Sequence, residues 1–209
     1  MKHLLPRIAA VATVAIVALV AASTLTAANW PSATLDQIAS EVAGKGVAVY
    51  CEDDQRPWDQ FSYSNLGIPG AWLDGFAPIG GTVVYISPHQ CERLHMGLEL
   101  GYRDAGLAYV TSSIFTLAHE AAHSRGIANE AQAECFSMPL VVPLAVRYFR
   151  VPETISVPRT VSSWKRVGKK RVRVSKVVYQ TVANPEIARM GEWVSAWHKS
   201  RPAEYQGLC

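Results

Sequence analysis

Leu117-Ala118-His119-Glu120-Ala121-Ala122-His123-Ser124-Arg125-Gly126-Ile127-Ala128-Asn129-Glu130-Ala131-Gln132-Ala133-Glu134-Cys135 is the most informative stretch of this 209-residue chain. From Leu117 to His123 it is apolar apart from two histidines and a glutamate, and it continues back through Ile114 and Phe115. That pattern predicts a helix capped within Thr111-Ser112-Ser113 and running to about Arg125, where Gly126 ends it. Asn129 suits the N-cap of a second helix that starts at Glu130. Pro139 and Pro143 then force that helix to kink or restart, because proline lacks the amide and clashes with the preceding turn.

His119 and His123 are four residues apart, so on a helix both side chains leave the same face one turn apart. Two neutral imidazoles so placed can share one Zn²⁺ at about 2.0–2.1 Å. Glu120 is adjacent to the first ligand and can take a proton from water without binding the metal. A third protein ligand and an open corner are still required for catalysis. Gly126 permits a sharp return of the chain, which brings Glu130, in the first turn of the second helix, back over the pair. Glu134, one turn further, is placed to orient a ligand histidine and is the alternative third ligand.

His119-Glu120-Ala121-Ala122-His123 resembles the HExxH motif of zincin metallopeptidases. Asn129-Glu130-Ala131-Gln132-Ala133-Glu134 looks like the NExxSD motif of thermolysin-like gluzincins, with Ala for Ser and Glu for Asp, and also like the ExxAD element. The resemblance covers roughly 20 residues. It implies His119, His123 and Glu130 as zinc ligands, Glu120 as general base, and Glu134 as the acid that orients a histidine. The chain departs from gluzincins in spacing, because Glu130 is only seven residues past His123. The compact spacing is closer to the HExxHxxGxxH of metzincins, with Asn129 at the position of their third ligand. For an oxyanion-stabilising side chain the sequence offers only Tyr102, Tyr109 and His95.

Outward from this stretch, Leu35, Ile38, Ala39 and Val42 have helical spacing, and Gly44 and Gly46 close that helix. Val47–Cys51 and Thr82–Ser87 read as short strands, the latter as an edge strand able to hold an extended peptide. Glu52 to Ala77 is rich in turn formers and reads as loop, and Pro88 to Gly101 reads as helix. Asn184-Pro185 opens a last helix through Trp193 and Trp197, whose spacing suits core packing. His89, His95 and Arg125 read as ordinary surface or core residues.

The segment Arg159 to Lys176 is different in kind. It carries eight basic residues and no acid, with Val172, Val174 and Val178 alternating with polar or basic positions. With a turn at Gly168-Lys169, residues 159–183 read as a solvated basic β-hairpin inserted in the domain. Its sharper meaning is attraction to an anionic envelope surface.

Lys2 and Arg7 precede an uncharged run from Ile8 to Ala28. Residues 1–28 read as a secretory signal peptide or, uncleaved, a membrane anchor. Either way residues 29–209 are exported, as a secreted or membrane-anchored domain outside the cytoplasm, so no nucleic-acid partner is expected. With 49% hydrophobic residues and a net charge of +3, the chain is neither disordered nor a multi-pass membrane protein. Export makes Cys51, Cys91, Cys135 and Cys209 readable as two disulfides. Four cysteines allow three pairings, of which Cys51–Cys91 and Cys135–Cys209 are favoured.

The expectation is an α+β domain of zincin type, with a small sheet packed on the HExxH helix. Its expected function is zinc-dependent hydrolysis of peptide or protein substrates. The alternative is a non-catalytic exported or membrane-tethered protein with a structural or vestigial zinc site.

Overall fold

The computed structural model describes residues 33–203 and Cys209; the expected signal peptide or anchor at residues 1–28 lies outside the described residues. Within them, no helix is long and apolar enough to cross a membrane. The fold is α+β, with eight helices and two small sheets among the described residues.

Helix α5, Leu107–Arg125, is the axis of the structure. Val110, Ile114, Leu117, Ala118 and Ala121 on it have no solvent exposure at all. Such a helix, apolar on most sides, is stable only inside a shell of other elements. That shell comprises α1 (Ala33–Ala43), α3 (Pro88–Glu99), α6 (Glu130–Ser137), α7 (Val141–Tyr148), α8 (Pro185–Lys199) and one face of the sheet. Helix α1 buries Leu35, Ile38, Ala39 and Val42, the stripe its spacing predicts. The shell closes through α4 (Tyr102–Ala105), which buries Tyr102.

The expected caps of α5 are not caps. Thr111 Oγ1 donates to Leu107 O at 2.6 Å and Ser113 Oγ to Tyr109 O at 3.0 Å. Their hydroxyls bond back into the preceding turn, so the helix begins one turn earlier, after Gly106 at φ 86°. The prolines act as expected: α6 ends at Ser137, a tight 3₁₀ turn spans Met138–Leu140, and α7 restarts at Val141.

The first sheet contains β1 (Ala48–Cys51), β2 (Gly75–Phe76) and β3 (Val83–Ile86) in the order β1-β3-β2. Strand β3 runs parallel to β1 and antiparallel to β2. This corrects the expectation that Thr82–Ser87 is an edge: β3 is central, and the free edges belong to β1 and β2. The segment Glu52 to Ala77 is not loop either. It contains α2, Gln55–Leu66, capped by Asp54, whose side chain accepts from Arg56 N at 3.0 Å, and closed by Gly67 at φ 68°. Polar residues cover most of α2, but Trp58 anchors it; its indole donates to Gly70 O and Leu73 O, both at 3.1 Å. The second sheet is a separate hairpin of β4 (Thr154–Val167) and β5 (Lys170–Ala183). It is longer than the expected 159–183 and does not join the sheet beneath α5.

Both favoured cysteine pairs are bonded: Cys51–Cys91 with Cα atoms 5.6 Å apart and Cys135–Cys209 at 5.3 Å. Cys91 lies in the first turn of α3, so the bond ties that helix to the end of β1. Two disulfides fit an oxidising environment. Replacing Cys51 and Cys91 by serine reopens a 40-residue separation. Loop-closure entropy then predicts a loss of up to about 4 kcal/mol, to be read from a denaturant titration against the oxidised parent.

Candidate metal centre

The last turn of α5 fixes the histidines. Gly126, at φ 109°, donates to His123 O at 2.9 Å, and Ile127 N donates to Ala122 O at 3.1 Å. Only the left-handed conformation that glycine adopts freely turns the chain back this tightly. One result is that Ile127 O accepts from His123 Nδ1 at 2.7 Å. A carbonyl can only accept, so Nδ1 carries the proton and Nε2 is left with its lone pair.

That lone pair points into a cluster. His123 Nε2 lies 3.1 Å from His119 Nε2. Glu130 Oε2 lies 3.0 Å from His119 Nε2, and Glu130 Oε1 lies 3.4 Å from His123 Nε2. Four donors about 2.0–2.2 Å from one tetrahedral ion lie roughly 3.3 Å from each other. The separations, taken to the two Glu130 oxygens in turn, are near that spacing, and one ligand atom from each residue lies within 4.8 Å of the others, a group that could hold a metal ion. Chemistry also fits. One imidazole lone pair, a carboxylate and a second imidazole converge, a donor set whose mutual repulsion a shared proton or a bound cation would offset. His119 Nδ1 is buried with no hydrogen-bond partner among the described residues.

Asn129 acts as a helix cap. Its Oδ1 accepts from Gln132 N at 3.0 Å, so it caps α6 and thereby places Glu130 in the first helical turn. The histidines hold the Glu130 carboxyl well below the usual carboxylate range. In return, the Glu130 hydrogen bond raises the His123 imidazole pKa, against the effect of burial.

Glu120 packs beside β2 of the sheet. It is 8% exposed, and burial pushes its pKa up to about 7, against the pull of His119, His123 and the Ala77 amide. A carboxylate in that range can accept and release a proton near neutral pH. The wall beside it is β2. A Cβ added at Gly75 would come within 2.7 Å of Glu120 Cγ, so only glycine allows the strand this close.

Glu134 is not where the motif comparison puts it. Its side chain is 1% exposed and accepts from His198 Nδ1 at 2.7 Å, with Arg201 Nε at 3.4 Å. It ties α6 to the end of α8 instead of orienting His119 or His123. Helix α8 also supplies Trp197, edge-on to Phe115 at 4.6 Å, and Phe115 lies 5.9 Å from the His119 ring. Sequence reasoning missed His198, Ala77 and Gly75, and no local signal could have found them.

The other named residues are engaged elsewhere. Tyr109 lies beneath the Arg93 guanidinium. It is ten residues up α5 from His119, about 15 Å at helical rise, too far to stabilise an oxyanion at the cluster. Tyr102 accepts from Arg103 at 3.0 Å. His95 is buried on α3. His89 pairs with Asp74 at 2.9 Å. Arg125 is exposed, donates to Val42 O at 3.2 Å and lies over Phe136.

Compared with known protein families, curated proteins and solved structures, the chain matches none.

Proposed function

We propose that this chain is an exported zinc-dependent hydrolase of peptide bonds. The observation that carries the proposal is the convergence of His119, His123 and Glu130 at 3.0–3.4 Å with a buried carboxylate, Glu120, beside them. His119 and His123 through Nε2, and Glu130 through its carboxylate, would hold the metal. Zinc supplies Lewis acidity there, lowering the pKa of water and polarising a carbonyl. Glu120 removes the proton as water attacks the scissile carbonyl, then delivers it to the leaving amine. Burial suits it to both halves of that transfer. The Ala77 amide bonds its carboxylate, and Gly75 leaves room for its side chain against β2. His123 is held in its binding tautomer by Ile127 O.

Among the described residues the set has three members, which would leave a fourth corner for solvent, and the Glu130 side chain is 59% exposed, so the cluster opens outward. Both facts favour an enzyme over a closed structural site. The test is a pair of variants read by metal analysis and denaturation. Glu130→Ala is expected to lose zinc. Glu134→Ala is expected to keep it but to lose about 3 kcal/mol of stability, because breaking a buried pair strands its partner. The reverse pattern would make Glu134 the ligand.

A further inference from the structure

The β4–β5 hairpin contributes nothing to the metal centre, and its construction calls for a separate partner. Each strand has 14 residues, about 45 Å at strand rise. Only its base is seated. Asn184 N donates to Glu153 O at 2.9 Å and Asn184 Nδ2 to Pro152 O at 2.8 Å. Ile155, Val157, Val178 and Val182 near the base are half-buried, and every residue beyond them is exposed. A free two-stranded ribbon is marginal in water. This one nevertheless carries exposed Val161, Trp164, Val167, Val172, Val174, Val177 and Tyr179.

The register sorts these residues. On one face Lys176 stands opposite Val161, Lys165 opposite Val172 and Lys170 opposite Val167. On the other, Arg173 stands opposite Trp164 and Arg166 opposite Arg171, with Tyr179 and Val177 nearer the base. Both faces therefore mix cations with apolar groups, and the arm contains no acid. Outside it, residues 29–209 hold ten basic residues against seventeen acids, so an anionic surface attracts the arm and repels the body.

We infer that the β4–β5 arm docks this protein onto an anionic lipid bilayer surface. The docking face is the one that carries Val161, Val167, Val172 and Val174: its lysines meet the headgroups and its valines enter the boundary beneath them. A hydrated polyanion would satisfy the charge but offer the valines no apolar phase. A second copy fits less well. Two arms repel, and exposed large hydrophobics of the body (Tyr50, Tyr63, Ile68, Ile79, Leu100, Tyr109) are scattered over separate segments. The inference does not rest on the metal chemistry.

The test compares the full chain with two sets of arm variants, so that residues 1–28 are common to all. One set is Lys165→Ser, Lys170→Ser and Lys176→Ser; the other is Val161→Ser, Val172→Ser and Val174→Ser. Co-sedimentation is measured with phosphatidylglycerol/phosphatidylcholine vesicles and with phosphatidylcholine alone, and circular dichroism checks that each variant folds. The expected result is a preference for the anionic vesicles that weakens with salt, by about five-fold for each lysine removed, and further with the valine variants. Equal binding of all variants would overturn the inference. So would a charge effect without a valine effect, with soluble polyphosphate competing fully, which identifies a hydrated polyanion. A concentration-dependent dimer that either variant set dissolves, without vesicle binding, would assign the arm to self-association.

Discussion

Glu120→Gln is expected to lower peptide hydrolysis by about 10²–10⁴-fold, the usual contribution of a positioned general base, while zinc content stays unchanged. Glutamine matches glutamate in shape, so it keeps the contact with the Gly75 backbone, but it cannot take a proton. Unchanged hydrolysis would remove Glu120 from the chemistry. The same variant has a second, opposite effect on the metal-free chain. Glu120 has a folded pKa of about 7, above its ordinary 4.5. Between those values the folded state therefore binds more protons than the unfolded one, and stability falls as pH rises through the window. The raised His123 pKa acts in the same direction at its upper end. The depressed Glu130 pKa adds stability only below the window, as pH rises toward 4.5. A shift of this size corresponds to about 3 kcal/mol. Metal-free Glu120→Gln should thus unfold at higher denaturant concentration than the parent at pH 8 and at nearly the same concentration at pH 4. Lower activity joined to higher apo stability is the mark of a buried group kept for its chemistry.

His123→Ala is expected to abolish zinc binding and hydrolysis together. Removing even a partner that orients a ligand costs about 10–100-fold in metal affinity, so deleting the ligand that fixes the cluster costs more. His123 has two anchors, Ile127 O at 2.7 Å and the facing Glu130 and His119. Its loss frees both neighbours. Equilibrium dialysis with zinc, measured beside thermal unfolding, checks this. The parent should gain stability with added zinc, since a ligand that binds only the folded state stabilises it. His123→Ala should gain none. A variant that keeps a full equivalent of zinc would place the metal elsewhere.

These two predictions rest on residues that were readable as a local pattern. His119 and His123 are one helical turn apart with Glu120 beside the first, and Gly126 and Asn129 punctuate the chain after them. Helical spacing, a left-handed stop and a side-chain cap are short-range effects, so the order helix–turn–helix and the approach of Glu130 follow from neighbours in the chain. The proline restart at Val141, the last helix from Pro185 and the basic hairpin were legible for the same reason. The hairpin's greater length was not, because Ile155 and Val157 alternate weakly beside Pro152 and Pro158.

Where the sequence misled, distant contacts outweighed local preference. Turn-forming residues hid α2, which forms because Trp58 finds buried carbonyl acceptors at Gly70 and Leu73. Thr111 and Ser113 look like caps until the apolar shell extends α5 past them. Strand β3 looks like an edge until the two residues of β2 pair with it.

The chain by itself determined which side chains can meet on one helical turn, where that helix stops, which four cysteines are available and where positive charge accumulates. Each is set by spacing or composition. Tertiary structure alone decided that Glu134 answers to His198, 64 residues away, and not to the histidine pair. It also decided that Gly75 walls Glu120, and that the hairpin stands clear of the body. Those outcomes depend on which surfaces exclude water from one another, a property of the packed whole that no window of sequence contains.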